Sequence, residues 1–121
     1  SVTVQPSFLA PVILCFWGSF MAGRSRNVSI QVLPLTNDAI PVVDRAIRVI
    51  QESGVRYEVG PMETTIEGED LDQLLDVAKA AHQACFTGEV ETVVTVIKIA
   101  DSIHGTTMDG KTGKYRNGDS K

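Results

Sequence analysis

Cysteine is scarce in this chain, and its scarcity excludes several kinds of site. The 121 residues include two cysteines, Cys15 and Cys85, which lie far apart and match no CxxC or Cys/His metal spacing. His82 and His104 have no cysteine or carboxylate at a spacing that would suggest zinc. We therefore expect a buried free thiol at Cys85, a hydrogen-bonded core residue at His82 and a solvated side chain at His104.

Basic residues are also too few for a nucleic-acid-binding protein. The chain has 11 Lys and Arg residues against 15 Asp and Glu residues, a net charge of -4, so a basic face for a phosphate backbone is not expected. The sequence contains no GxSxG elbow, P-loop or GxGxxG motif. We therefore expect no nucleic-acid partner, no metal and no catalytic cofactor. The length fits a single domain.

Charged side chains are absent from residues 1–23, most of which are apolar from Ser7 onward. For a membrane-spanning helix this run is slightly short and is interrupted by proline. It also lacks the basic region that precedes the apolar core of a secretory signal. We expect Met21 to be the natural start, with the preceding residues arising from an upstream start. A signal or anchor segment is the alternative, and a membrane association is expected only if this leader is retained.

The remaining pattern alternates between strand and helix periodicity. Strands are predicted from β-branched and alternating apolar residues, helices from apolar residues three and four positions apart, and their ends from glycine. The second and third strands form a hairpin around Gly60-Pro61. The predicted elements are a strand at 28–35, a helix ending before Gly54 with an apolar stripe of Ile40, Val43, Ile47 and Ile50, strands at 55–59 and 62–67, a helix at 71–86 and a strand at 90–99.

This order predicts an α+β protein with the ferredoxin-like βαββαβ fold. With right-handed crossovers and a tight central hairpin, two helices cover one face of a four-stranded antiparallel sheet. We divide the chain into a leader at 1–26, the ferredoxin-like domain at 27–101 and a flexible Gly-rich tail at 102–121.

The last predicted strand is apolar on both faces. Val94 and Val96 point to one side, and Ile97 and Ile99 point to the other. A sheet with one face in water should be polar on that face, and we see no third helix in the sequence to cover it. We therefore expect a second copy of the chain to cover this face, which makes the protein a homo-oligomer, either a dimer or a tetramer.

Polar residues among these aliphatic strands are candidates for an intersubunit pocket. Gln31, Thr65, Glu67 and Lys98 fit this description. Ordinary roles are also open to them: cross-strand hydrogen bonds for Gln31 and Thr65, a helix N-terminus for Glu67, and an ion pair between Lys98 and Glu67. Pattern alone therefore predicts a ferredoxin-like oligomer with a pocket.

Three stretches are similar to the small thiamine-binding protein family, also called the MTH1187/YkoF-like group: SIQVLPL, RVIQESGVRYEVGPMETTIEGE and VVTVIKIADS. The similarity spans about Asn27 to Asp101. It implies a ferredoxin-like fold, dimers or tetramers, and non-catalytic binding of thiamine or its hydroxymethylpyrimidine moiety in the cytoplasm. The chain departs from the family pattern in its uncharged leader and in its Gly-rich tail, which stands where the family has a short closing helix.

The resemblance also implies roles for individual residues. Thiamine has a cationic thiazolium and an aminopyrimidine with donors and acceptors on one edge, so its site needs negative charge and fixed polar partners in an apolar slot. Glu67 is expected to balance the cation or accept from the amino group, and Lys98 to pair with Glu67 or meet a phosphate. Of the two adjacent threonines we favour Thr65, which shares a face with Glu67. The predicted ligand-binding residues are Ser29, Gln31, Met62, Thr64, Thr65, Glu67 and Lys98.

Two other functions compete with a binding protein. One is an enzyme acting on a small heterocycle with Glu67 as general acid or base, although no nucleophile or metal set accompanies that carboxylate. The other is a regulatory module that senses a metabolite and signals to a partner protein.

Overall fold

A computed structural model describes residues 23–88 and 90–116 of the chain. Within these residues the chain forms a sheet and three helices. The elements, labelled in chain order, are β1 (Arg26–Pro34), α1 (Ala39–Glu52), β2 (Arg56–Val59), β3 (Thr64–Gly68), α2 (Leu71–Gln83), β4 (Val93–Ala100) and α3 (Met108–Arg116).

The four strands form one antiparallel sheet in the order β2-β3-β1-β4, and the helices α1 and α2 cover one face of it. The prediction of a ferredoxin-like α+β fold is confirmed. The first strand lies in the centre, where it pairs with β3 on one side and with β4 on the other. The two helices connect strands that are not neighbours, which is the split βαβ arrangement.

The core lies between the sheet and the two helices α1 and α2. Val28 and Ile30 of β1 and Ile66 of β3 face these helices with at most 3% of their surface exposed. Burial of each such side chain stabilises the fold by roughly 1.5–3 kcal/mol. Because side chains alternate along a strand, Asn27 and Ser29 point to the opposite side, which we call the open face.

The first helix buries a stripe that shares only Ile50 with the one that the sequence predicted. Its buried residues are Val42, Ala46 and Ile50, whereas Ile40 is 71% exposed. Ile40 lies two positions before Val42, which places it about 200° around the helix and on the solvent side. The predicted end of the helix is correct, because Gly54 follows it with a positive φ of 88°.

The predicted hairpin is present, with shorter strands. The backbone N–H of Gly60 donates to the carbonyl of Glu63 at 2.9 Å, so residues 60–63 form the turn. A Cβ atom at Gly60 would lie 2.9 Å from that same carbonyl oxygen, which explains the need for glycine there. Met62, predicted to begin the third strand, belongs to this turn and is 75% exposed.

The second helix and the last strand also differ in length from the prediction. The helix ends at Gln83 rather than Phe86, and the strand begins at Val93 rather than Val90. Contact between them is made by His82, whose Nδ1 lies 2.6 Å from the hydroxyl of Thr95. His82 is therefore a half-buried, hydrogen-bonded residue, as predicted.

A third helix lies on the open face, where the sequence predicted no regular structure. The prediction of an irregular chain at 108–116 is wrong, because Met108–Arg116 is helical. Its only buried residue is Met108, and it includes Gly110 and Gly113. The helix has no apolar stripe, so hydrophobic periodicity could not reveal it.

The chain reaches this position through a return loop after β4. Two arginines at the start of β1 hold Asp101: Arg26 Nε at 3.1 Å and Arg24 Nη2 at 3.4 Å. The backbone N–H of Thr106 donates to the carbonyl of Ser25 at 2.9 Å. These contacts fix the loop beside β1, so that α3 starts over the open face.

Candidate functional site

Polar side chains form a row across the middle of the open face. Glu58 of β2 lies opposite Thr65 of β3, Thr65 lies opposite Ser29 of β1, and Ser29 lies opposite Lys98 of β4. Neighbouring strands are about 4.8 Å apart, so the row extends over three such spacings. It carries an acid at one end, two hydroxyls in the middle and a base at the other end.

The row forms the floor of a cavity, and α3 forms its opposite wall. The cavity has a volume of about 340 Å³, within the range of small-molecule sites. Aliphatic groups of Ile99, Ala100 and Met108 contribute to its surface. The polar residues that line it are Asn27, Ser29, Glu58, Glu63, Thr65, Lys98, Lys111 and Thr112.

Ser29 is the polar group in this cavity that most clearly lacks a partner. The residue is 9% exposed, and its hydroxyl oxygen makes no hydrogen bond within residues 23–88 and 90–116. A buried hydroxyl without a partner is unfavourable and uncommon in folded proteins. Ser29 lines the cavity floor, but this oxygen has almost no accessible surface, so a ligand satisfies the hydroxyl only when the side chain turns towards the cavity.

Glu67 has a structural role beneath α3. Its Oε1 accepts from the backbone N–H of Met108 at 2.7 Å and from Asn27 Nδ2 at 3.3 Å, and its Oε2 accepts from Arg56 Nη1 at 3.2 Å. The side chain is 10% exposed. The carboxylate thus binds the N-terminus of α3, where the helix dipole favours negative charge.

Lys98 does not pair with Glu67, contrary to the prediction. Its ammonium lies 3.3 Å from the carboxylate of Glu63, in a pair that is largely exposed to solvent. Lys98 lies opposite Ser29 on the sheet, whereas Glu67 lies opposite Asn27. Since Glu67 is occupied by Arg56 and the N-terminus of α3, Lys98 pairs with Glu63 instead. An exposed pair of this kind contributes little to stability.

Ion pairs hold the outer side of α3 to the sheet. Asp109 accepts from Arg56 at 2.8 Å and from Arg116 at 2.8 Å, and Arg116 also pairs with Glu58. The hydrogen bonds from Arg56 first, and then from Arg116, lower the pKa of the Asp109 carboxyl. The same contact with Asp109 raises the pKa of Arg56. The helix is therefore attached chiefly by charged groups.

Lys111 extends from α3 into the cavity. Its Nζ donates to the amide oxygen of Asn27 at 2.7 Å, while the amide nitrogen of Asn27 donates to Glu67. Asn27 is thus oriented by Glu67 and in turn positions the ammonium of Lys111. Since Asn27 and Ser29 are neighbours on one face of β1, Lys111 lies over the cavity floor.

The remaining predicted residues lie elsewhere. Thr64 is 5% exposed on the helix side of the sheet, so the two adjacent threonines do point to opposite faces and Thr65 is the one at the cavity. Gln31 lies opposite Val96 on β4, away from the row. Gln31, Met62 and Thr64 line a small cavity of about 70 Å³ against α1. Their role in ligand binding stays a prediction.

The sequence did not predict several of the residues that line the cavity. Asn27 lies two positions before Ser29, and Glu63 lies two positions before Thr65, so strand alternation contained a signal for both. Glu58 was accessible from the pairing across the hairpin. Lys111 and Thr112 had no such signal, because the helix that carries them is not apparent from the sequence.

Cys85 and the two histidines behave as expected. Cys85 is a buried free thiol whose Sγ–H donates to the carbonyl of Ala81 at 3.5 Å, and burial raises its pKa. His104 is exposed. The described part of the chain contains no group of three His, Cys, Asp or Glu residues placed to hold a metal ion, and none of its helices combines the length and apolarity needed to cross a membrane. Cys15 and the predicted leader up to Ala22 lie outside the described residues.

Comparisons with known proteins place the chain in one family. A family model described as "Thiamine-binding protein" matches residues 28–116. The chain is 45% identical over 92 residues to a UPF0045 protein of Clostridium perfringens, covering 74% of this chain and 96% of that protein. The match to the family model extends beyond the predicted domain end at 101 and includes α3.

Solved structures of similar proteins share this fold. A Bacillus cereus domain of unknown function, DUF77, shares 51% identity and superimposes with a TM-score of 0.71, covering 78% of this chain and 93% of that one. A Thermotoga maritima protein, provisionally named as a thiamine biosynthesis/salvage protein, shares 35% identity with a TM-score of 0.61, covering 76% of this chain and 99% of that one.

Proposed function

Because the chain belongs to the thiamine-binding protein family, we propose that the cavity beneath α3 binds thiamine or its hydroxymethylpyrimidine moiety without catalysis. The name of the Thermotoga maritima relative supports a role connected with thiamine. The observation that carries the assignment to this cavity is the buried hydroxyl of Ser29, which lacks a partner in the described chain. The cytoplasmic location stays a prediction from the sequence.

The cavity suits the chemistry of this ligand. The carboxylate of Glu63, whose ion pair with Lys98 is largely exposed, supplies negative charge for a thiazolium cation. Ser29 and Thr65 offer hydroxyls that both donate and accept, as the edge of an aminopyrimidine requires. Met108 adds an adaptable apolar surface for a ring.

The contacts of Glu67 support binding rather than catalysis. An enzyme of the kind considered above needs Glu67 as a free general acid or base within reach of the substrate. Both of its oxygens instead accept hydrogen bonds from the protein, and α3 lies over it. The carboxylate that was predicted to bind the ligand therefore acts by holding the wall of the cavity.

Calorimetric titration with thiamine tests the proposal through two adjacent threonines. We expect Thr65→Val, which removes a hydroxyl from the cavity, to weaken thiamine binding by about fivefold or more, since a polar group of the ligand loses its partner. Thr64→Val removes the same group from the opposite face of β3 and should leave the affinity unchanged. If neither thiamine nor hydroxymethylpyrimidine binds to the unmodified protein, the proposed function is wrong.

We also propose that a second copy of the chain covers the remainder of the open face, which places the cavity near a subunit interface. The third helix covers the part around Asn27 and Glu67 but leaves Leu33, Val94 and Val96 between 39% and 47% exposed. Among the described residues β4 is an edge strand, so its outer backbone groups offer a site for pairing with another strand. An apolar edge of this kind is typical of an interface between copies.

Sedimentation equilibrium tests this part of the proposal. We expect the unmodified protein to form a dimer or a tetramer and Val96→Lys to shift it towards monomer, because lysine on an edge strand opposes pairing. Ile40→Lys introduces the same charge at an exposed site on α1 and should leave the assembly intact. A monomeric unmodified protein at tens of micromolar would contradict the predicted interface.

A further inference from the structure

Lys111 and Ser29 line the cavity, and neither has a charged partner among the described residues. The ammonium of Lys111 donates to a neutral amide oxygen, that of Asn27, and within residues 23–88 and 90–116 it forms no ion pair. The hydroxyl of Ser29 has no partner in the same residues. Asn27 and Ser29 are successive residues on the open side of β1, so these two donors lie at neighbouring positions of the cavity.

A second ammonium lies beside them. Lys98 stands directly opposite Ser29 on β4. Its pair with Glu63 is 3.3 Å long, and the two side chains are 66% and 36% exposed, so the pair is weak and open to competition by another anion. Two lysines and a serine therefore line the same cavity, and ammonium and hydroxyl groups together bind phosphate groups in proteins.

We propose that Lys98, Lys111 and Ser29 bind the phosphate of a phosphate monoester in this cavity, so that the ligand is a phosphorylated form of thiamine or of its pyrimidine. The inference rests on the proposed function and specifies its ligand class. A phosphate monoester carries a charge of about -1.5 to -2 at pH 7 and several acceptor oxygens, enough for Lys98, Lys111 and Ser29 together. Thiamine alone offers these donors no anion.

The acidic groups around the cavity are compatible with such a ligand. Glu67 is neutralised by Arg56 beneath α3, and Glu58 is paired with Arg116. The remaining carboxylate, Glu63, is paired with Lys98. A phosphate that takes over Lys98 leaves Glu63 to face the thiazolium cation, so the charges of the site and of the zwitterionic ligand match.

The experiment compares thiamine, thiamine monophosphate and inorganic phosphate by calorimetric titration of the unmodified protein. We expect thiamine monophosphate to bind about tenfold more tightly than thiamine, because its phosphate gains charge-assisted hydrogen bonds. Inorganic phosphate should bind more weakly than the monoester, since it lacks the contacts of the rings.

Variants test whether Lys111, Ser29 and Lys98 cause the preference for thiamine monophosphate over thiamine. We expect Lys111→Met to reduce the ratio of the two affinities towards one, and Ser29→Ala and Lys98→Met to reduce it in the same direction. Lys114→Met is the matched control, because Lys114 lies on the same helix but stands over the ring of Tyr115 at 5.0 Å and does not line the cavity. Its ratio should equal that of the unmodified protein.

The outcomes separate this inference from the function on which it rests. If thiamine binds but its monophosphate binds no more tightly, or if the preference survives Lys111→Met, Ser29→Ala and Lys98→Met, the phosphate site is wrong and the proposed function stands. Inorganic phosphate binding as tightly as the monoester would also overturn the inference. If inorganic phosphate binds through Lys111 while no thiamine compound binds, the proposed function and the thiamine phosphate ligand are both wrong, and only an anion-binding site remains. Binding of neither overturns both.

Discussion

Ile50→Ala should lower the free energy of unfolding by about 3 kcal/mol. Ile50 is 2% exposed in the last turn of α1 and belongs to the core cluster with Val28 and Ile66. The substitution removes three carbon atoms from a closely packed site, so both the lost burial and the cavity left behind destabilise the protein. Urea denaturation followed by circular dichroism measures the change.

Ile40→Ala is the matched control for this prediction. It makes the same chemical change on the same helix, at a residue that is 71% exposed. We expect it to alter the free energy of unfolding by no more than about 0.5 kcal/mol, because little apolar surface is lost and alanine is a better helix former. Equal destabilisation by the two substitutions would contradict the orientation of α1, and equal tolerance would contradict the position of the core.

Ile50 and Ile40 also illustrate how much of the fold the sequence could predict. Strand alternation separates Val28 and Ile30 from Ser29, because a strand has only two faces and a wrong choice would bury polar groups. A helix offers a continuous range of orientations, and isoleucine at position 40 fitted a plausible apolar stripe. In the structure Val42 and Ala46 are buried together with the predicted Ile50.

For the candidate site, the sequence identified part of the floor and missed one wall. Ser29, Thr65 and Lys98 line the cavity as a row because they occupy matching positions on three strands. The third helix is held by ion pairs and by one buried residue, Met108. Such contacts join residues far apart in the chain, and no local pattern of apolar residues records them. For the same reason the sequence did not show that Glu67 lies beneath a helix. Its role in ligand binding stays a prediction.

Glu67→Ala should release α3 and is expected to lower the free energy of unfolding by about 2 kcal/mol, because a hydrogen-bonded charged group is lost from a largely buried position. The backbone N–H of Met108 and the amide of Asn27 lose their acceptor, and Arg56 retains only Asp109. With Asn27 no longer oriented, Lys111 also loses its fixed position. Amide hydrogen exchange in residues 111–116 should accelerate, and the affinity for thiamine or its monophosphate should fall with it.

Two further variants distinguish this role from a general loss of negative charge. Glu69→Ala removes an exposed carboxylate two residues later and should change neither the exchange rates nor the affinity, since the contact of Glu69 with Arg26 is made by its backbone carbonyl. Glu67→Gln keeps an oxygen that accepts from Met108 but loses the charge that faces Arg56, so we expect exchange rates between those of the unmodified protein and Glu67→Ala. One result would contradict this role: α3 exchanges equally slowly in all of these variants, yet Glu67→Ala and Glu67→Gln lose thiamine binding. Glu67 would then contact the ligand itself, and the cavity would have to extend beneath the helix.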